Sequence, residues 1–188
     1  MSIGLKKDTV VLEPHQEAWE IEGENICKKI KAILGDDLVD VQHVGSTSIR
    51  LICAKPIIDV AVAVRSFDDV MKHNEELSKN GIVYRKQDIP GQHLYRCGDL
   101  EDNIVTHFIH VVIYGSDAWH NYINFRDYLN SHPEDARSYE RLKKELWSKY
   151  PEDRDSYVDG KKELVTELLA KAKAWRELSQ MTSEELLI

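Results

Sequence analysis

The sequence predicts an α+β fold in which a mixed sheet is packed by helices and followed by a helical bundle. Two observations lead there. Strand-like and helix-like periodicities alternate up to Gly115, whereas the chain beyond Gly115 is helical in period throughout. The most apolar segment, residues 56–64 (PIIDVAVAV), reads as a strand covered on both faces and so belongs inside a sheet. One domain is expected over 1–188, with an α/β core at 1–115 and a helical annex at 116–188.

Each element has its own reason. Residues 9–12 form a short β-prone run that Pro14 stops. Over 15–34, Trp19, Ile21, Ile26, Ile30, Ile33 and Leu34 recur at helical spacing, and Gly35 supplies the end. Residues 38–44 (LVDVQHV) alternate as a strand does, and 45–54 follow as a loop or short helix. Ser66 caps a helix running to about residue 79, with Asp69 completing a capping-box-like start. Strands are expected at 82–85, 93–97 and 104–113, the first two separated by a turn at 88–92 with Pro90 and Gly91. Helices are expected at 116–131, 133–150 and 151–175, two of them opened by proline. The openings PEDARSY and PEDRDSY put acids at the positive end of a helix dipole, and residues 182–188 can add a short last helix.

Composition narrows the function classes. With 188 residues, 42% hydrophobic and 31% charged, the chain is an ordinary globular one. A formal net charge of −8 gives no general attraction to nucleic acid or anionic membrane, although a local basic pocket remains compatible with it. Cys27, Cys53 and Cys97 are far apart and odd in number, which speaks for reduced thiols rather than a disulfide framework. The N-terminus lacks the apolar stretch of a signal peptide, and no run approaches the roughly 18 apolar residues of a membrane span. A cytoplasmic protein is expected.

The chemistry concentrates in residues 43–64 (HVGSTSIRLICAKPIIDVAVAV). Gly45 lets the backbone approach a ligand closely. Ser46, Thr47 and Ser48 offer hydroxyls beside the amides of a turn, a workable phosphate cradle, and Arg50 and Lys55 supply nearby positive charge. Asp59 is a carboxylate inside an otherwise apolar strand; it needs a partner, a metal ion or a water-filled cleft.

This segment resembles the nucleotidyltransferase superfamily pattern, in which Gly-Ser precedes an aspartate-bearing strand by about a dozen residues. More narrowly, HVGSTS and AKPIIDV, with the later runs THFIHVV, FRDYLNSHPEDARSYERLKKEL and YVDGKKELV, resemble the GrpB-like family over nearly the whole chain. The resemblance implies a polymerase-β-type core sheet and a nucleoside triphosphate bound through Gly45 and Ser46. It further implies Mg2+ held by carboxylates, Asp59 first among them, and transfer of a nucleotidyl group to an acceptor. The usual second carboxylate lies two residues further along the same strand face; that position is Ala61, as it generally is not an acid in GrpB-like chains. This chain also departs from its family: Ile49, Arg50, Leu51 and Ile52 replace a Val-Pro-Gly-Leu-like turn, and Phe108 stands where histidine or asparagine is usual.

On the strand at 105–113, His107 and His110 point to opposite faces. His110 is expected to face Asp59 as metal ligand or general base, and His107 to lie in the core. Lys143 and Lys161 each follow a tyrosine by four residues and are read as reaching phosphates. Bland alternatives stand beside these: Asp59 paired with Lys55 or Arg65, His110 a satisfied structural histidine, Lys55 solvated, and both lysines packed along tyrosine rings. Two functions of different class are therefore carried, a magnesium-dependent nucleotidyltransferase and a non-catalytic nucleotide or phosphometabolite binder that keeps the cradle.

Overall fold

The computed structural model describes residues 3–86, 89–99 and 101–185. A five-stranded mixed sheet is built from β2 (Leu38–Val44), β3 (Ile58–Val64), β4 (Val83–Lys86), β5 (Gln92–Cys97) and β7 (His107–Ile113), in the order β2-β3-β7-β5-β4. Only β3 and β7 run parallel. A two-stranded ribbon, β1 (Leu5–Lys6) with β6 (Ile104–Val105), stands beside it.

The alternation of β3 explains both layers. Ile58, Val60, Val62 and Val64 face one core, shared with Trp19, Ile26 and Ile30 of α1 (Glu17–Leu34) and with residues of α2 (Phe67–Met71) and α3 (Asn74–Lys79). Ala61 and Ala63 face the other way, under Trp119 and Ile123 of α4 (Asp117–Ser131). Two alanines in a row on that face let α4 come close. Asp59 is the first residue of the same face, beside Phe108 of β7 and Val44 of β2.

The annex continues with α5 (Pro133–Lys149), α6 (Arg154–Asp159) and α7 (Lys162–Glu185). Its core gathers Tyr128, Leu129, Ala136, Tyr139, Leu168 and Ala172 around two residues from the sheet side, Ile49 and Ile52. The loop that departs from the family pattern thus plugs the annex onto the sheet: both isoleucines are buried, while Arg50 turns outward to Glu20, with Nε 2.8 Å from Oε1. It does not point at the turn after Gly45.

Several expectations are corrected. The 9–12 run forms no strand; its place is taken by β1, and Val10 donates a backbone bond to Pro151 instead. The single helix expected from Ser66 breaks at Lys72–His73 into α2 and α3, although the Ser66–Asp69 capping box is present. The long strand at 104–113 is interrupted at Thr106, whose amide bonds to the Cys97 carbonyl. The helix expected at 151–175 starts only at Arg154, capped by Asp153, and breaks again at Gly160–Lys161. Ile21, counted in the α1 stripe, is exposed. The expected turn at 88–92 and last helix at 182–188 lie partly outside the described residues. None of the described helices is long and apolar enough to cross a membrane.

Candidate functional site: a cationic cleft around one carboxylate

The site begins with Gly45. Its φ of 72° lies in the left-handed region, and a Cβ placed there would stand 2.5 Å from Asp59 Oδ2. The glycine therefore ends β2 and makes room for the carboxylate. A single 3-10 turn, Ser46–Ser48, follows.

The three hydroxyls of that turn separate. Ser46 lines the cleft with Asp59, its Oγ 3.5 Å from the Tyr139 hydroxyl. Thr47 is buried on the other side, Oγ1 2.9 Å from His43 Nε2, and Ser48 donates to the Gly45 carbonyl at 2.7 Å. Thr47 and Ser48, expected in the cradle, thus spend their hydroxyls on His43 of β2 and on the Gly45 carbonyl, and Ser46 alone of the three lines the cleft.

The cleft encloses about 330 Å³ between the sheet and the annex. On its floor His110 Nε2 lies 3.4 Å from Asp59 Oδ1, both side chains partly exposed. This is the juxtaposition expected of these two residues, made because both stand on the face of β3 and β7 that α4 leaves open. Asp59 meets neither Lys55 nor Arg65 in a direct ion pair; Arg65 instead donates to the Asp36 carbonyl. His107 points into the opposite layer, against Thr106 and Glu22.

Four cations, Lys55, Lys143, Arg154 and Lys161, join the wall beside aromatic and apolar residues. Lys143 is fully buried, donates to the Cys53 carbonyl and sits 4.8 Å over the Tyr139 ring. Burial, then the nearby Lys161 charge, brings its ammonium down to about 7. Lys55, 5.1 Å over the Tyr157 ring, is pushed well below the ordinary lysine range by burial and by Arg154 and Lys161. Lys161 stands 4.6 Å over the other tyrosine of its pair, Tyr157. So the lysines both pack on tyrosine rings and line the cleft; the two readings of the sequence describe one arrangement. Arg154, unnoticed in the sequence, lies 5.2 Å over the Phe108 ring, and burial lowers its pKa. The nearest signal for it was the PEDRDSY opening, read there only as a helix start.

The chemical sense of the wall is plain. Four cations face one carboxylate, and burial weighs against the charged forms of Lys55 and Lys143. An anion entering here would favour those charged forms.

For Mg2+ the donor set is short. Ala61, the second carboxylate position, is completely buried beneath α4 with Val44, Ala63 and Trp119, and has no path to the cleft. Among the described residues no three His, Cys, Asp or Glu side chains come together as a metal cage. The protein does not fit a two-metal arrangement; among the described residues Asp59 is the one carboxylate that lines the cleft.

Comparison with known proteins agrees with this frame. The pattern of the GrpB protein family matches residues 9–171. The chain belongs to the GrpB family. The glutamate-rich protein GrpB of Alkalihalophilus pseudofirmus is 41% identical over 170 residues, covering 89% of this chain and 98% of that protein. The UPF0157 protein YqkA of Bacillus subtilis is 32% identical over 164 residues, covering 87% of this chain but 47% of YqkA. The crystal structure of conserved protein GrpB from Enterococcus faecalis superposes with a TM-score of 0.80 at 29% identity, covering 88% of this chain and 99% of that one. Cid1 in complex with its short product ApU has a TM-score of 0.51 at 13% identity over 72% of this chain and 42% of Cid1. At that identity the likeness is one of fold, and it makes this GrpB protein's core nucleotidyltransferase-like, with a mixed sheet of the polymerase-β type.

Proposed function

We propose that this GrpB protein binds a nucleotide, or a phosphorylated small molecule of similar size, with its phosphates in the cationic cleft. The supporting observation is the convergence of Lys55, Lys143, Arg154 and Lys161 on the pocket that holds Ser46 and Asp59, in a chain whose net charge is −8. A second cleft of about 600 Å³, sharing Gly45, His110 and Lys161 with the first, is walled by Tyr122, Phe125 and Tyr139 and suits a flat ring joined to the phosphates. It favours a nucleotide over bare phosphate.

Transfer of a nucleotidyl group is the second reading, favoured by the Asp59–His110 contact at the cleft floor. In that reading the Asp59–His110 pair accepts the proton of an acceptor hydroxyl, whose oxygen attacks the α-phosphorus. The bond to the bridging oxygen breaks and pyrophosphate leaves into the lysine wall. When bound, Mg2+ would neutralise phosphate charge, with Asp59 as its one protein carboxylate.

Calorimetric titration with nucleoside triphosphates, with and without magnesium, tests both. Binding tighter than millimolar that weakens about tenfold or more in Lys161→Gln supports the cleft. Absence of binding at millimolar nucleotide removes the proposal. Asp59→Asn separates the readings: a pure binder tightens for magnesium-free nucleotide, because a like charge is gone, whereas a transferase loses its turnover.

A further inference from the structure

Three clefts meet at His110. Beyond the phosphate cleft and the aromatic one, a third of about 590 Å³ opens on the far side of the Phe108 ring, and it too is rich in cations. Lys7, Arg85, Arg96 and Arg154 line it against two carboxylates, Asp8 and Asp155. The backbone explains how they gather. Arg96 pairs across β5 and β7 with Phe108, so it shares the face that carries Phe108, His110 and Asp59. Arg85 stands at the irregularity of β4 between Tyr84 and Lys86, where a bulge re-aims a side chain. Lys7 follows β1, and its amide donates to the Asn103 carbonyl at 2.9 Å, which fixes the turn beside β6. Arg154 stacks on Phe108 and borders both cationic clefts, so the ring and the guanidinium together form the partition.

We propose that this third cleft seats a second anionic ligand, a small phosphorylated molecule, side by side with the nucleotide and with His110 exposed to both. Guanidinium groups present paired donors that match a phosphate face, and three of the four cations here are arginine. The volume suits a sugar- or polyol-sized phosphate, and the overall charge of −8 opposes a long polyanion. The role of this ligand as transfer acceptor rests on the second reading above; its binding does not.

The test uses the full chain and inorganic phosphate as probe, titrated into protein already saturated with ATP, beside protein without nucleotide. The expected result is one additional phosphate site, weakened by salt, that Arg96→Gln or Lys7→Gln weakens about fivefold or more while ATP affinity stays within twofold. Using two variants on separate strands, each checked by circular dichroism, guards against loss of fold. Phosphate binding that neither variant alters, or none at all, overturns the proposal. So does binding of a short oligothymidylate here in place of phosphate. If ATP fails to bind but the phosphate site still depends on Arg96 and Lys7, the nucleotide reading falls and this one stands.

Discussion

Gly45 and Asp59 occupy each other's space, and that pairing sets the geometry of the whole site. Gly45→Ala puts a methyl 2.5 Å from Asp59 Oδ2 at a φ of 72°. The expected outcome is a loss of about 2 kcal/mol in urea unfolding, from backbone strain and displaced carboxylate together; a change within about 0.5 kcal/mol, the size of a neutral surface substitution, would contradict the contact. Lys143 makes a second residue-level claim. Its pKa falls from 10.5 to about 7, so between those values the unfolded chain holds a proton that the folded chain has shed, and this group's contribution to stability rises with pH across that window. An entering phosphate reverses the balance by recharging the ammonium. At pH 8 nucleotide binding should therefore take up a proton, seen as a binding enthalpy that varies with the buffer's ionisation heat, and Lys143→Met should reduce that variation. The opening around Asp59 was legible because a lone acid in an apolar strand needs one; that Gly45 makes the room was not, since the glycine reads as admitting a ligand. The parting of Ser46 from Thr47 and Ser48 was not, since three hydroxyls in a row do not say which of them a tight turn folds inward.

At the scale of elements, strands and helices with one clear period were read correctly: α1, β2 and β3 lie where apolar spacing put them. Interruptions were harder. The break between α6 and α7 depends on Gly160, whose missing Cβ admits Leu146 Cδ2 within 2.4 Å of where it would be, a long-range contact that no local pattern announces. It matters, because the break aims Lys161 into the cleft while α6 carries Arg154 and Tyr157. The cap of α6 is Asp153, whose side chain accepts from the Ser156 amide at 3.0 Å. Asp153→Ala should cost about 1 kcal/mol of stability and, by loosening a six-residue helix, weaken nucleotide binding more than that small loss implies. Unchanged affinity in a destabilised variant would mean that α6 does not carry the site.

Across the whole molecule, the sheet supplies the carboxylate and the histidine, and the annex supplies most of the cations. Neither half makes the site alone. Ile49 and Ile52, buried at 0% and 2% exposure in the annex core, hold the two together directly after the phosphate turn. The altered loop keeps apolar residues at the two buried positions, and the places of proline and glycine are taken by Arg50 and Leu51, both exposed. The family resemblance made the sheet legible from the sequence, but the closing of Arg154 over Phe108 required knowing where α6 crosses the sheet. The most direct measurement is a crystal structure of the full chain grown with a non-hydrolysable nucleoside triphosphate. The account predicts phosphate density within hydrogen-bond reach of Ser46 Oγ and the Lys55, Lys143 and Lys161 ammonium groups, with the base against Tyr122 and Phe125. Density for the analogue elsewhere on the molecule, with the cleft filled by water, would contradict it.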